Sequence, residues 1–123
     1  MKFTYSGVEV KDMDRSIDFY RDVVGMEFLG RKRIDATGGE VAAFKSPGSE
    51  HVLELNYYPN SKYRGGSELD HLAFECEDVR KEMDRMLDAG ATLARAIEVR
   101  PKYIVGFVKD PNGIWLELYE ERK

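Results

Sequence analysis

Glu54 stands between two leucines in Leu53-Glu54-Leu55, and Glu117 between two more in Leu116-Glu117-Leu118. Successive residues of a strand face opposite sides of its sheet. In both runs the leucines therefore claim a buried face and leave the carboxylate on the other, Glu54 with Val52, Asn56 and Tyr58, and Glu117 with Trp115 and Tyr119. His71 shares a face with Leu69 and Ala73, opposite Leu72 and Phe74, while Tyr5 shares one with Phe3, Gly7 and Glu9, opposite Val8 and Val10. One imidazole, two carboxylates and a phenol form a nitrogen and oxygen set suited to a borderline divalent cation, with room left for water or substrate. That chemistry requires a fold that brings four separate strands together.

The elements that must do so repeat. Residues 3–10 read as a strand, and Asp12 caps a helix whose apolar positions Met13, Ile17, Tyr20 and Val24 step by four, three and four. Gly25 falls where a left-handed helix cap is wanted. Strands are expected near 26–33, 41–46 and 51–58, divided by Thr37-Gly38-Gly39 and Ser46-Pro47-Gly48-Ser49. After a polar connection from Pro59 to Ser67 the plan recurs. It runs through a strand at 69–76, a helix capped by Asp78 with Val79, Met83, Met86 and Leu87 inward, Gly90 at its end, and strands near 91–98, 103–109 and 114–119. Asp12 to Asp78 is a shift of 66 positions and Leu53-Glu54-Leu55 to Leu116-Glu117-Leu118 a shift of 63, so Tyr5 maps onto His71 and Glu54 onto Glu117. The expected fold is α+β: two βαβββ modules, about 1–60 and 67–123, in one domain spanning 1–123. A module of about 60 residues is marginal alone, so the two are expected to combine into one curved, barrel-like sheet.

Composition narrows the partners. The 123 residues carry 23 acidic and 19 basic side chains, a net charge of −4 with the signs mixed along the chain, which is no footprint for nucleic acid. With 42% hydrophobic and 34% charged residues the chain reads as an ordinary globular protein, and no apolar run approaches the roughly 18 residues of a membrane span. Met1 to Gly7 enters a strand pattern at once and lacks the features of a signal peptide, so a cytoplasmic location is expected. Cys76, the one cysteine, has no disulfide partner and no CxxC companion, and reads as a core thiol.

Five segments carry a family resemblance. They are Val10-Lys11-Asp12-Met13-Asp14-Arg15-Ser16-Ile17-Asp18-Phe19-Tyr20, Val24-Gly25-Met26, Leu53-Glu54-Leu55, Asp70-His71-Leu72-Ala73-Phe74, and Asp110-Pro111-Asn112-Gly113-Ile114-Trp115-Leu116-Glu117-Leu118. In that order, over nearly the whole chain, they resemble the glyoxalase I, bleomycin-resistance and extradiol-dioxygenase superfamily, the vicinal-oxygen-chelate proteins, and lactoylglutathione lyases most of all. The resemblance implies a divalent metal, Ni2+ or Zn2+ first and Co2+ or Mn2+ next, whose ligand pattern in glyoxalase I falls here on Tyr5, Glu54, His71 and Glu117. It also implies a lyase or isomerase acting on a small carbonyl or hemithioacetal substrate. The metal would bind two adjacent substrate oxygens and stabilise an enediolate, with Glu117 as base, Glu54 as its partner and His71 as a fixed ligand.

The chain departs from that pattern in two places. Tyr5 replaces a histidine, and it serves either as a phenolate ligand, which needs a cation to lower a pKa near 10, or as a hydrogen-bonding group for substrate or water. The same loss weakens the extradiol-dioxygenase, fosfomycin-resistance and methylmalonyl-coenzyme A epimerase readings. Glu9 stands where glyoxalase I has an arginine for the glutamyl carboxylate of glutathione, and a carboxylate there repels that group. Tyr58 aligns with a family asparagine that contacts glutathione, with Asn56 close by. The candidate substrate contacts are thus Tyr5, Glu9, Asn56, Tyr58, Trp115 and Lys102. Arg100 and Lys102 around Pro101 read either as a solvated turn or as cations that close over an anionic substrate.

Two classes of function remain, the metal-dependent lyase and a metal-free binding protein resembling the bleomycin-resistance branch. A third possibility is a silent member whose polar cavity is a relic. Sequestration needs none of Glu54, His71 and Glu117, so their joint presence favours the enzyme. His51 falls on the face opposite Glu54 and reads as a surface residue, and Trp115, Tyr119, Tyr58 and Phe3 as core or pocket wall. The resemblance further implies a homodimer in which Tyr5 and Glu54 of one chain meet His71 and Glu117 of the other. Modules paired within one chain are the other arrangement.

Overall fold

The computed structural model describes residues 1–66 and 69–123, which divide into two units, Met1–Arg64 and Gly65–Lys123. Ser67, the end of the expected connection, lies outside the described residues. The first unit runs β1 (Tyr5–Glu9), α1 (Met13–Asp18) continuing into a π-helical turn (Phe19–Val23), β2 (Glu27–Ile34), β3 (Gly39–Lys45) and β4 (Val52–Tyr57). The second runs β5 (His71–Glu75), α2 (Val79–Asp88), β6 (Thr92–Val99), β7 (Tyr103–Lys109) and β8 (Trp115–Glu121). Each unit carries one four-stranded mixed sheet, in the order β1-β4-β3-β2 and β5-β8-β7-β6, with the first and last strands of the unit parallel. The α+β class and the doubled βαβββ plan are as expected, but each sheet is open, with two edges, and neither closes into a barrel.

Local chemistry sets the helix ends. Asp12 and Asp78 both adopt extended backbone and accept a hydrogen bond from the amide three residues on, Arg15 and Lys81, at 3.0 Å. This satisfies one of the orphan donors of each first turn. The first helix does not stay α-helical to Val24. It widens at Phe19, where the Val24 amide reaches back five residues to the Phe19 carbonyl at 2.9 Å. A widened turn carries adjacent aromatic residues inward together, and Phe19 and Tyr20 are both buried. Gly25 follows with a φ of +87°, the left-handed conformation that the helix end was expected to need.

Each helix covers one face of its own sheet. In the first unit Met13, Ile17 and Tyr20 join Ala42, Phe44, Leu53 and Leu55 in the core, with Tyr20 and Phe28 packed against Phe44 at ring separations of 6.1 and 5.4 Å. Arg31 ties α1 to the sheet through Asp14 at 2.6 Å and Glu40 at 2.8 Å. In the second unit Val79, Met83 and Met86 join Val108, Leu116 and Leu118. Gly106 of β7 lies directly under Met83, whose sulfur occupies the place a side chain at 106 would take. No helix among the described residues is long and apolar enough to cross a membrane.

Two measurements check this packing. Gly106→Ala forces Met83 out of its position, and overpacking of this kind costs about 1–3 kcal/mol, so the thermal midpoint should fall by several degrees; an unchanged midpoint contradicts the contact. Cys76 is half-buried, donates to the Tyr119 carbonyl at 3.6 Å, and has its pKa pushed up to about 11, mainly by burial and then by Glu82 and Glu120. The folded thiol should therefore alkylate far more slowly at pH 9 than a free cysteine, and Cys76 contributes stability that declines as pH rises above the unfolded pKa and is lost by about 11. Labelling at the rate of free cysteine contradicts it.

Candidate functional site

The four residues singled out by type occupy equivalent places in the two sheets. In the first unit β1 pairs with β4 so that Tyr5 lies beside Val52 and Gly7 beside Glu54. In the second β5 pairs with β8 so that His71 lies beside Trp115 and Ala73 beside Glu117. Each sheet thus carries the same diagonal: the opening residue of its first strand, and a carboxylate two residues along the parallel neighbour. Laterally paired residues share a face. Since Leu53, Leu55, Leu116 and Leu118 are buried on the helix side, all four site residues stand on the faces away from α1 and α2.

The diagonal in the second unit is closed. His71 Nε2 lies 3.2 Å from Glu117 Oε2, both side chains half-buried, at 34% and 23% exposure. Two ligands of one cation at bond lengths of about 2.0–2.2 Å lie about 3.0–3.5 Å apart at tetrahedral or octahedral angles. The pair therefore fits as two adjacent ligands. Phe107 meets the imidazole edge-on at a centroid distance of 5.8 Å, and Trp115 meets Phe107 at 5.6 Å, so one side of the pair is an aromatic wall. Among the described residues no three His, Cys, Asp or Glu side chains gather as a metal site.

Glu117 is aimed by the turn that precedes it. Asp110 is buried, and its Oδ1 accepts from the Asn112 and Ile114 amides at 2.8 Å each, while Asn112 Nδ2 donates to Oδ2 at 3.0 Å. Gly113 supplies the φ of +85° that lets the chain reverse into β8. The motif read in the sequence as a family signature is, physically, a buried carboxylate holding the start of this strand.

Around Glu117 an open depression of about 350 Å³ is lined by Arg100, Tyr103, Val105, Tyr119 and Glu121. Arg100 is held protonated first by its hydrogen bond to Glu98, at 3.2 Å, with a smaller contribution from the charge of Glu117. Tyr119 has its pKa raised, first by desolvation and then by Glu75 and Glu121, and stays a neutral phenol. Arg100, treated in the sequence as an alternative turn cation beside Lys102, lines the depression, whereas Lys102 is exposed and its carbonyl accepts from the Arg122 amide. Sequence reasoning missed Arg95 and Lys109, whose cationic ends lie 5.6 Å from the Phe107 ring and 5.5 Å from the Trp115 ring. The spacing of Phe107 and Lys109, two apart on β7 and so on one face, was the available signal.

In the first unit Glu54 stands beside Gly7 and Ala43, and Asn56 beside Glu9 and Val41. Glu9 Oε2 accepts from Ser61 Oγ at 2.6 Å. Tyr5 and Tyr58 are exposed. Phe3, expected as core or pocket wall, is instead 79% exposed and stacks on His51 at 4.8 Å. His51 in turn bonds Ser6 Oγ at 2.9 Å, on the α1 side of the sheet, which removes it from the Glu54 face as the strand parity required.

Two βαβββ units, each presenting a polar diagonal on the face away from its helix, define a class of protein built by doubling one module. Residues 3–118 match the Glyoxalase/Bleomycin resistance protein/Dioxygenase superfamily, and the chain belongs to that superfamily. It is 31% identical over 130 residues to the lactoylglutathione lyase of Escherichia coli O157:H7, covering 99% of this chain and 94% of that protein. A glyoxalase I variant from Zea mays superposes with a TM-score of 0.83 at 26% identity, over 96% of this chain but only 44% of the maize chain, so this chain spans less than half of that protein. TnmS3, an antibiotic binding protein from Streptomyces sp. CB03234, superposes with a TM-score of 0.80 at 18% identity over 99% of this chain and 97% of that one, which shows the shared fold.

Removing the turn carboxylate tests its positioning role. Asp110→Ala strands buried donors and should cost about 1–3 kcal/mol in urea unfolding. A variant as stable as the parent contradicts the assignment.

Proposed function

We propose that the chain is a glyoxalase I-like lyase that isomerises the hemithioacetal of a small 2-oxoaldehyde, with a divalent cation held by His71, Glu117 and Glu54. The observation that carries the reading is the His71–Glu117 pair at 3.2 Å, repeated in register by Tyr5 and Glu54. Full-length similarity to lactoylglutathione lyases supports it. Ni2+ or Zn2+ suits the imidazole and carboxylate set best, and when bound such an ion polarises the two adjacent substrate oxygens as a Lewis acid.

Glu117 takes the proton from the substrate carbon that bears sulfur, and the electron pair left behind spreads over the adjacent carbonyl. Returning that proton to the neighbouring carbon, while the hydroxyl proton of the sulfur-bearing carbon passes to the former carbonyl oxygen, completes an isomerisation to a 2-hydroxy thioester with no atom gained or lost. Phe107 stands beside Glu117 across β7 and β8, and Trp115 packs on the Phe107 ring, so one side of the carboxylate is aromatic. Glu54 is the partner carboxylate on the opposite side of the substrate. His71 stays a fixed ligand. Tyr5 donates its phenolic hydrogen to substrate or water.

We assign Tyr5 and Glu54 of one chain to His71 and Glu117 of another in a homodimer acting in the cytoplasm. The carrier thiol is one that tolerates the Glu9 carboxylate beside Asn56.

Turnover of methylglyoxal with a panel of thiols, in the presence of nickel or zinc, tests the reading. Glu117→Gln should lower kcat by a factor of about 10²–10⁴, the usual contribution of a general base, while metal content measured by mass spectrometry persists. Undiminished turnover removes Glu117 from the mechanism. No metal uptake by the parent protein overturns the enzyme reading in favour of metal-free ligand sequestration. A monomer in sedimentation at micromolar concentration excludes the shared site.

A further inference from the structure

The strands that carry the two carboxylates start from different anchors. In the second unit β8 follows a turn held by buried Asp110, whose carboxylate accepts from the Ile114 amide at 2.8 Å, and Ile114 is itself buried. The 63-residue shift places His51 where Ile114 stands. Its amide donates instead to Ser49 Oγ, at 3.3 Å, and the residue is half-buried.

The imidazole reaches to the neighbouring strand. His51 Nε2 lies 2.9 Å from Ser6 Oγ, and the ring stacks on Phe3 with centroids 4.8 Å apart and planes 17° from parallel. Phe3 stands two residues before Tyr5 and Ser6 one after, so a single ring holds the chain on both sides of the residue that opens β1. Ser6 pairs with Leu53, which is buried on the helix side of the sheet, so the hydrogen bond holds β1 from the face opposite Tyr5.

β1 has need of such a hold. It is an edge strand of five residues whose neighbour in the sheet is β4, and its pairing ends at Tyr5 beside Val52. A long backbone bond, from the Val52 amide to the Thr4 carbonyl at 3.3 Å, extends the contact by one residue. Short edge strands open from their ends at low cost, and a side chain that opens with them loses its place in the site.

We infer that His51 is a positioning residue: by stacking on Phe3 and bonding Ser6 it holds the start of β1 against β4, and so keeps Tyr5 on the diagonal with Glu54. The clamp stands on its own contacts, and its kinetic consequence rests on the lyase reading.

Amide exchange followed by NMR reads the clamp directly. His51→Ala should lower the protection of the Val52 amide, which bonds Thr4, by about tenfold, the share of a ring stack and a hydrogen bond together, while the amides of β3 exchange as in the parent. Ser6→Ala, which removes the bond and keeps the stack, should lower it less, and so should His51→Phe. Unchanged Val52 protection in His51→Ala, or an equal rise of exchange across β3, overturns the clamp. Turnover of methylglyoxal separates positioning from stability. His51→Ala should lower kcat/KM about fivefold in the parent and less than about twofold in a Tyr5→Phe background, because a group that acts through Tyr5 has nothing left to move. Equal losses in both backgrounds refute the route through Tyr5. Absence of turnover in the parent marks failure of the lyase reading, and exchange then still decides the clamp.

Discussion

The parallel pairing of the first strand of each unit with its last is the constraint on which the rest depends. Parallel strands require a crossover, and here α1 or α2 with the two intervening strands supplies it, which fixes the helix on one face and leaves the other for polar groups. Once Tyr5 pairs with Val52 and His71 with Trp115, the carboxylates at 54 and 117 must fall on the same diagonal from those residues. A slip of one residue in either pairing would turn the carboxylate toward the helix and a leucine into the site. The buried leucines on either side of each glutamate make that slip costly, so the same residues that build the core also hold the register of the chemistry.

Much of this was legible. Period-two alternation in Leu53-Glu54-Leu55 and Leu116-Glu117-Leu118 reports burial on one face directly, and the aspartates at 12 and 78 mark helix starts because a short acceptor there meets unpaired amides. What a single strand cannot encode is its partner's offset, so the diagonals, although implied by the 66- and 63-residue shifts, became explicit only with the pairing. The widened turn at Phe19 escaped the four, three, four spacing because that spacing assumes an unbroken α-helix. Phe3 was misjudged because aromatic residues near a chain start read as core, while here the strand begins two residues later and the ring is left stacked on His51.

The doubled module repeats its backbone and varies its side chains. Both sheets present a carboxylate at the same point, but the second surrounds it with Phe107, Trp115 and cations, and the first with glycine, alanine and an open floor. Equivalence of backbone thus goes with divergence of the side chains around each carboxylate. Tyr5 opens the first strand of its unit at the position His71 takes in the second. Family membership sets the fold, and the residues of this chain set what it holds.

Anomalous diffraction from a nickel-soaked crystal, collected at the nickel edge, tests the central claim most directly. The account predicts one strong peak per site in contact with both His71 Nε2 and Glu117, with Glu54 facing it and Tyr5 alongside. A peak bound elsewhere, or none at His71 and Glu117 at saturating nickel, would contradict it.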